Sequence, residues 1–409
     1  MTFDLAIEAV AQNTPANWKV EEFRRHATLV DEVNAGSDMS LLSLASTGVV
    51  SPRSEEGGMG KQIPSASTIE RYWIARPGDL VVNPMWLIGG GIGVSQITGA
   101  VSPDYRVYRL GPELFPRFIH HLLRSQPYRD QYRLYARAET TFDRRVSKQD
   151  FHPMPLLIPP IEEQRRIVEF LDFETARIDQ LLEKFARQKD LLAEREGVAL
   201  PLSVAGARLG EGAVDTGMPW LPSMHPKARL VPLLRILQLQ RGADLSEGQR
   251  RAGKVPVITT AGFAGWHNVA LASGPGVVIG RYGSVGNVHW VEESYWPHNT
   301  TLYVKNFNGN DPRYCYHVLR SLPYEMEQAR AAVPGVNRND LHRQSVALLP
   351  IGLQRRVAQQ LDTEMTQMES TRERIIRAEA LLVERRQALI TAAVTGQLDV
   401  TTVRRTSVA

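Results

Sequence analysis

Eight residues recur in this chain at one fixed distance, and a gapless repeat of that kind constrains the fold more tightly than any single motif. Asp150, His152, Gln164, Arg165, Arg166, Leu171, Asp172 and Glu174 reappear as Asp340, His342, Gln354, Arg355, Arg356, Leu361, Asp362 and Glu364, each 190 residues further on. Upstream the copies are looser. Gly78-Asp-Leu-Val-Val-Asn83 and Gly276-Val-Val-Ile-Gly-Arg281 both read as an apolar strand leaving a glycine turn, and strands ending in Tyr105-Arg-Val-Tyr108 and Thr301-Leu-Tyr-Val304 follow. The chain is two copies of one unit.

A helix follows the anchors in each copy. Pro159-Pro-Ile-Glu-Glu-Gln164 places proline and carboxylates in a first turn, where no amide is left unpaired and the positive dipole end meets negative charge. From there Leu171, Ile178, Phe185 and Leu192 fall seven apart, as do Leu361, Met368, Ile375, Leu382 and Leu389. Because 361 minus 171 is again 190, the heptad register is itself repeated, which predicts two long antiparallel helices meeting along an apolar seam. Between the halves, Gly197 to Lys227 is rich in glycine and proline and reads as a linker. The expected order is a first unit over 1–160, a helix over 161–196, a linker over 197–227, a second unit over 228–350, a helix over 351–396 and a tail over 397–409.

With 43% apolar and 22% charged residues the chain is globular, and no window is long and apolar enough to span a membrane. The N-terminus lacks the pattern of a secretory signal, and the lone Cys315 permits neither an internal disulfide nor a multi-cysteine zinc site, so a reducing cytoplasm is expected. The net charge of +4 says little about partners, but its distribution says more. Residues 105–148 hold ten basic against four acidic side chains, and residues 220–350 hold fourteen against eight, a surplus of six in each. Two local basic regions on a balanced chain suit two phosphate-facing surfaces, or two solvated faces.

The layout resembles the specificity subunit of a Type I restriction-modification system. The resemblance covers nearly the whole chain and is carried by Leu156-Leu-Ile-Pro-Pro-Ile-Glu-Glu-Gln-Arg-Arg-Ile167, by its counterpart Leu348-Leu-Pro-Ile-Gly-Leu-Gln-Arg-Arg-Val357, and by Gly280-Arg-Tyr-Gly-Ser-Val-Gly286, Trp296-Pro-His-Asn-Thr-Thr-Leu302 and Pro334-Gly-Val-Asn-Arg-Asn-Asp-Leu341. The second helix start departs from the family's pattern, with Leu349 at the first proline and Leu353 at the glutamate. The resemblance implies an α/β fold of two pseudo-repeated target-recognition domains, mainly β with a few helices, joined by two long antiparallel coiled-coil helices. It also implies a subunit without a catalytic centre, cofactor or metal. Its partners would be double-stranded DNA carrying a bipartite site, two methyltransferase subunits and the restriction and translocase subunits, with no membrane involved.

Arg281 and Tyr282, at the tip of the glycine turn, are candidates to touch DNA, since arginine grips guanine or phosphate and tyrosine hydrogen-bonds phosphate or sugar. Asn337, Arg338 and Asn339 precede the second helix-proximal anchor, and Arg144, Arg145 and Lys148 hold the matching place in the first copy. Phosphate contact is one reading of these loops, and salt bridges to partner subunits are the other. Asn83-Pro-Met-Trp86 raises a rival, because amino-methyltransferases hold the target amine with a similar loop at a strand end. Here, though, the second proline is Met85, and no glycine-rich turn opens a helix to seat an adenosyl cofactor. A self-contained adenine methyltransferase and a non-specific scaffold are therefore the alternatives. His152 and His342 read as packing or capping groups.

Overall fold

The computed structural model describes residues 6–35, 39–53, 66–136, 145–210, 212–282, 286–324 and 335–400. The chain is α/β and divides into two compact units, Met1–Lys184 with Arg377–Ala409, and Phe185–Ile376. Each unit combines a β-rich body with a stretch of both long helices.

In the first unit the strands are β1 (Lys19–Glu22), β2 (Ala27–Leu29), β3 (Leu42–Leu44), β4 (Val50–Pro52), β5 (Trp73–Ala75), β6 (Leu80–Val82), β7 (Ile92–Val94), β8 (Gly99–Val101), β9 (Arg106–Leu110) and β10 (Pro155–Ile158). The main sheet has the order β2-β9-β6-β7, antiparallel throughout, while β1 pairs with β10, β3 with β4 and β5 with β8. The helices are α1 (Ala6–Ala11), α2 (Ala66–Ile69), α3 (Pro116–Arg124), α4 (Gln126–Tyr135), α5 (Lys148–Phe151) and the start of α6 (Ile161–Val204). β6 explains why the apolar run Leu80-Val-Val82 is continuous: both its faces are covered. Leu80 and Val82 lie in one core with Phe118 and Leu122 of α3, and Val81 lies in a second with Val101 and Val107.

The second unit repeats this plan. Its strands are β11 (Val214–Met218), β12 (Leu221–Met224), β13 (Arg229–Pro232), β14 (Gln238–Arg241), β15 (Val255–Thr259), β16 (Gly262–His267), β17 (Gly276–Gly280), β18 (Val288–Val291), β19 (Trp296–Pro297), β20 (Thr301–Asn306) and β21 (Ser345–Leu348). The order β14-β20-β17-β18 matches the first sheet, and β13 pairs with β21 as β1 does with β10. The helices are α7 (Leu233–Ile236), α8 (Pro312–Arg320), α9 (Arg338–Arg343) and α10 (Ile351–Val394), the last ending in the first unit. Here too the central strand is buried on both faces, with Val277 and Ile279 against Tyr314 and Val318, and Val278 against Ile258 and Tyr295.

Where the sequence suggests a linker from 197, α6 instead continues through Gly197 and Pro201 to Val204, and β11 and β12 then form a hairpin. Burial overrides the local breakers: Leu200, Val204 and Leu221 all enter the second core, and Ala205 still donates its amide to the carbonyl of Pro201. Residues 401–409 of the expected tail lie outside the described residues.

Within each unit the two long helices run antiparallel. In the first, Asp179 pairs with Arg386, and Ile167, Val168 and Leu171 share a core with Ala393 and Val394. In the second, Glu196 pairs with Arg372 and Arg208 with Glu364, and Leu200 and Val204 share a core with Val357, Ala358 and Leu361. Of the expected seam residues, Leu171, Ile178, Leu361 and Ile375 are buried, while Phe185, Leu192, Met368, Leu382 and Leu389 are half-buried. Polar side chains alternate with them. Glu196, for instance, accepts hydrogen bonds from Arg320 at 2.6 Å and from Arg372 at 2.7 Å.

Candidate nucleic-acid interface

The repeated residues hold each β core to its helix. Gln164 is fully buried, accepts the Phe115 amide at 2.7 Å and donates to the carbonyls of Glu113 and Pro159. Gln354 does the same work for the Asp311 amide at 2.9 Å, the Leu349 carbonyl and the side chain of Asn310. Arg117 grips Asp172 with two bonds at 2.6 and 2.8 Å, and Arg313 grips Asp362 at 2.8 and 3.0 Å. These contacts reveal a second repeated block, Pro116-Arg117, His121, Leu123-Arg124-Ser125 and Pro127-Tyr128 against Pro312-Arg313, His317, Leu319-Arg320-Ser321 and Pro323-Tyr324, at an offset of 196. His317 donates its Nε2–H to the Asp362 carboxylate at 2.8 Å, and its complete burial lowers its pKa to about 4, so the ring is neutral at physiological pH. His152 meets the Tyr108 hydroxyl at 3.2 Å, a side-chain contact, whereas His342 accepts the Leu239 amide at 2.9 Å and so satisfies strand backbone.

On this scaffold sit the loops that differ. In the second unit β17 delivers the half-buried Arg281 and the exposed Tyr282, with the guanidinium 4.6 Å from the ring centroid in a cation–π contact. The Arg281 amide donates to the Thr300 carbonyl, and its own carbonyl accepts the Val336 amide. Gly335 fits flat against Tyr282, since a Cβ there would come within 2.7 Å of the ring. The structure therefore brings Arg281 and Tyr282 beside the loop carrying the exposed Asn337, Arg338 and Asn339. Asn337 has a structural task as well, because its side-chain oxygen caps α9 by accepting the Asn339 amide at 2.9 Å.

The first unit uses the same joint. The Val146 amide donates to the Pro84 carbonyl, setting the exposed Arg145 and Lys148 beside the loop that follows β6, and buried Arg106 props the joint by donating to the Val146 carbonyl at 2.9 Å. Burial lowers the pKa of Arg106 from its usual value. Arg144 lies outside the described residues. In the adjoining loop Asn83 turns its side-chain oxygen back onto the Met85 amide at 3.1 Å, and Trp86 stands 63% exposed.

No family model and no curated protein matches the sequence. Solved structures do. A chain from work on complex assembly and conformational transition of the type I R-M system superposes with a TM-score of 0.69 at 20% identity, covering 94% of this chain and 100% of that one. The HsdS subunit from Thermoanaerobacter tengcongensis superposes with a TM-score of 0.56 at 21% identity, covering 94% and 98%. The chain has the fold of HsdS.

Within the HsdS fold, sequence reasoning missed two exposed features. Trp86 entered the sequence reading only as part of a rival motif, although an aromatic flanked by Gly89, Gly90 and Gly91 is a signal that backbone folds tightly around it: a Cβ on Gly91 would approach the Trp86 carbonyl to 2.9 Å. The second is a pair of rings on β16. Among the described residues no helix is long and apolar enough to cross a membrane.

Proposed function

We propose that this chain is the DNA-reading subunit of a type I restriction-modification complex, with each unit reading one half of a bipartite site. One observation carries the reading: the units share their sheets, clamps and helix starts but differ in the loops set on them. Exposed pairs Arg165-Arg166 and Arg355-Arg356 recur identically at the two helix starts, whereas Asn83-Pro-Met-Trp86 stands in one unit where Arg281-Tyr282 stands in the other. A surface present twice suits two identical partners, here two methyltransferase subunits, and loops that differ suit two different half-sites. Arg145, Lys148, Arg281, Tyr282, Arg338 and Asn339 contact the duplex, the cations positioning it on its phosphates and Arg281 reaching a base. Both main sheets are antiparallel, unlike the parallel sheet whose strand ends form a dinucleotide crevice, which favours a reader over a self-contained methyltransferase. Restriction and translocase subunits join the same cytoplasmic assembly, as assembly is a property of the type I system solved with this fold.

The test is partner dependence. The chain with its methyltransferase subunits should methylate and protect a two-part sequence, and neither component alone should do so. Methyl transfer by the chain alone would establish the self-contained enzyme, and equal binding to all duplexes would establish a scaffold.

A further inference from the structure

We infer that the β15–β16 hairpin carries an aromatic wedge, Phe263 and Trp266, that contacts the bases or sugars of the duplex half-site read by the second unit. The inference rests on the proposed DNA-reading function and assigns to it residues outside the basic loops.

Side chains three apart on a regular strand point to opposite faces. Phe263 and Trp266 are three apart, yet their rings meet edge to face with centroids 4.9 Å apart. The register explains how. Pro256 pairs with Trp266 and Ile258 with Phe263, so two steps along β15 face three along β16, which is a β-bulge. Gly265 supplies the bulge with φ +127°, a conformation that side chains other than glycine's rarely take. Arg250 braces it by donating to the Ala264 carbonyl at 2.6 Å, although this leaves the buried Arg250 Nε without a hydrogen bond among the described residues.

Packing does not account for this construction. Phe263 is 58% and Trp266 52% exposed, and neither belongs to a core. A bulge that turns two aromatic rings toward solvent builds a contact surface.

Charge identifies the occupant as duplex DNA. Residues 255–280 contain no charged side chain, in a chain where 22% are charged, and they are bounded by Arg250, Arg251 and Lys254 on one side and Arg281 on the other. A neutral aromatic stretch between cations complements a groove, where base edges and sugars lie between two rows of phosphate. The hairpin is also tied to the Arg281 loop, since the Thr260 hydroxyl and the Arg281 amide both donate to the Thr300 carbonyl at 3.0 Å. Apolar side chains set beside base-reading groups act by partly unstacking a base step.

The experiment uses the full chain in complex with its methyltransferase subunits and, as probe, the duplex that the wild-type complex selects from a randomised pool. Trp266→Ala should weaken binding about tenfold, the scale of one lost base–aromatic contact. The slope of log affinity against log salt should stay unchanged because no phosphate contact is removed. Trp266→Phe should keep most of the affinity, and permanganate reactivity of thymines in one half-site should fall in Phe263→Ala. Wild-type affinity, footprint and selected sequence in both alanine variants would overturn the wedge, as would loss of methyltransferase assembly in place of DNA binding, which would mark a protein-docking face. A wild-type complex that selects no sequence would overturn the DNA-reading function itself and the wedge with it.

Discussion

The guanidinium of Arg281 lies over the ring of Tyr282 and makes no ion pair among the described residues, so its charge is available to a ligand. Arg281→Ala should relax base preference in one half-site only, at about 1–3 kcal/mol if the guanidinium reads a base. Site selection with the variant checks this, and a uniform loss with a shallower salt slope would place Arg281 on phosphate instead. A buried residue supplies a prediction of a different kind. Folded His317 titrates near pH 4 because burial disfavours its charged form, whereas the unfolded chain takes up that proton near 6.5. Between those values the unfolded state binds more protons, so stability contributed at neutral pH is lost as pH falls from 6.5 to 4, by up to ~3 kcal/mol. Urea midpoints at pH 7 and pH 4.5 should therefore lie closer together in His317→Asn than in the wild type, and an unchanged gap would refute the assignment. His121, at the matching place in the first unit, is likewise pushed down to about 4 by burial, so His121→Asn should narrow the gap in the same direction.

At the level of elements, the glutamine clamps decide whether sheet and helix stay joined. Gln354→Leu keeps the size of the side chain but leaves the Asp311 amide and the Leu349 carbonyl without their partner, which should cost about 1–3 kcal/mol for each group left buried and unpaired. A denaturant midpoint measures it, and a neutral substitution would show that other groups satisfy that backbone. The clamps were legible in part. Gln164, Gln354, Asp172 and Asp362 announce themselves through the 190-residue repeat, but Arg117 of α3 and Arg313 of α8, which grip the two aspartates, repeat at 196, because the first unit holds six more residues between Tyr128 and Asp150 than the second holds between Tyr324 and Asp340, 21 against 15. A search at one offset sees one block and misses the other. The end of α6 misled for another reason. Gly197 and Pro201 are local breakers, and the apolar partners that outweigh them, Leu221 among others, lie too far along the chain for local signals to register. The β16 bulge was illegible for the same kind of cause, since it depends on pairing with β15.

For the molecule as a whole, the sequence pattern already contained duplication, long helices and paired basic regions, because repeats and heptads are one-dimensional; which loop meets which is three-dimensional and was not in it. What the duplication is for can be tested through the two helices, which both pass from one unit into the other. If they set the distance between two independent readers, shortening both should change spacing and leave base preference alone. Deleting residues 183–189 and 374–380 removes one heptad from each, so that Leu192 follows Ile178 and Leu382 follows Met368 at the interval of seven, and the ion pairs Asp179–Arg386 and Glu196–Arg372 are both retained. Each helix loses about 10 Å of length, on the order of three base-pair steps of 3.4 Å. Selection from a random pool should return the same two half-site sequences separated by a spacer shorter by about that number. An unchanged spacer with altered bases would mean that the helices take part in reading, and failure of the variant to fold would be separated from either outcome by a three-residue deletion at the same places, which rotates the seam by about 60° and should be the more damaging of the two.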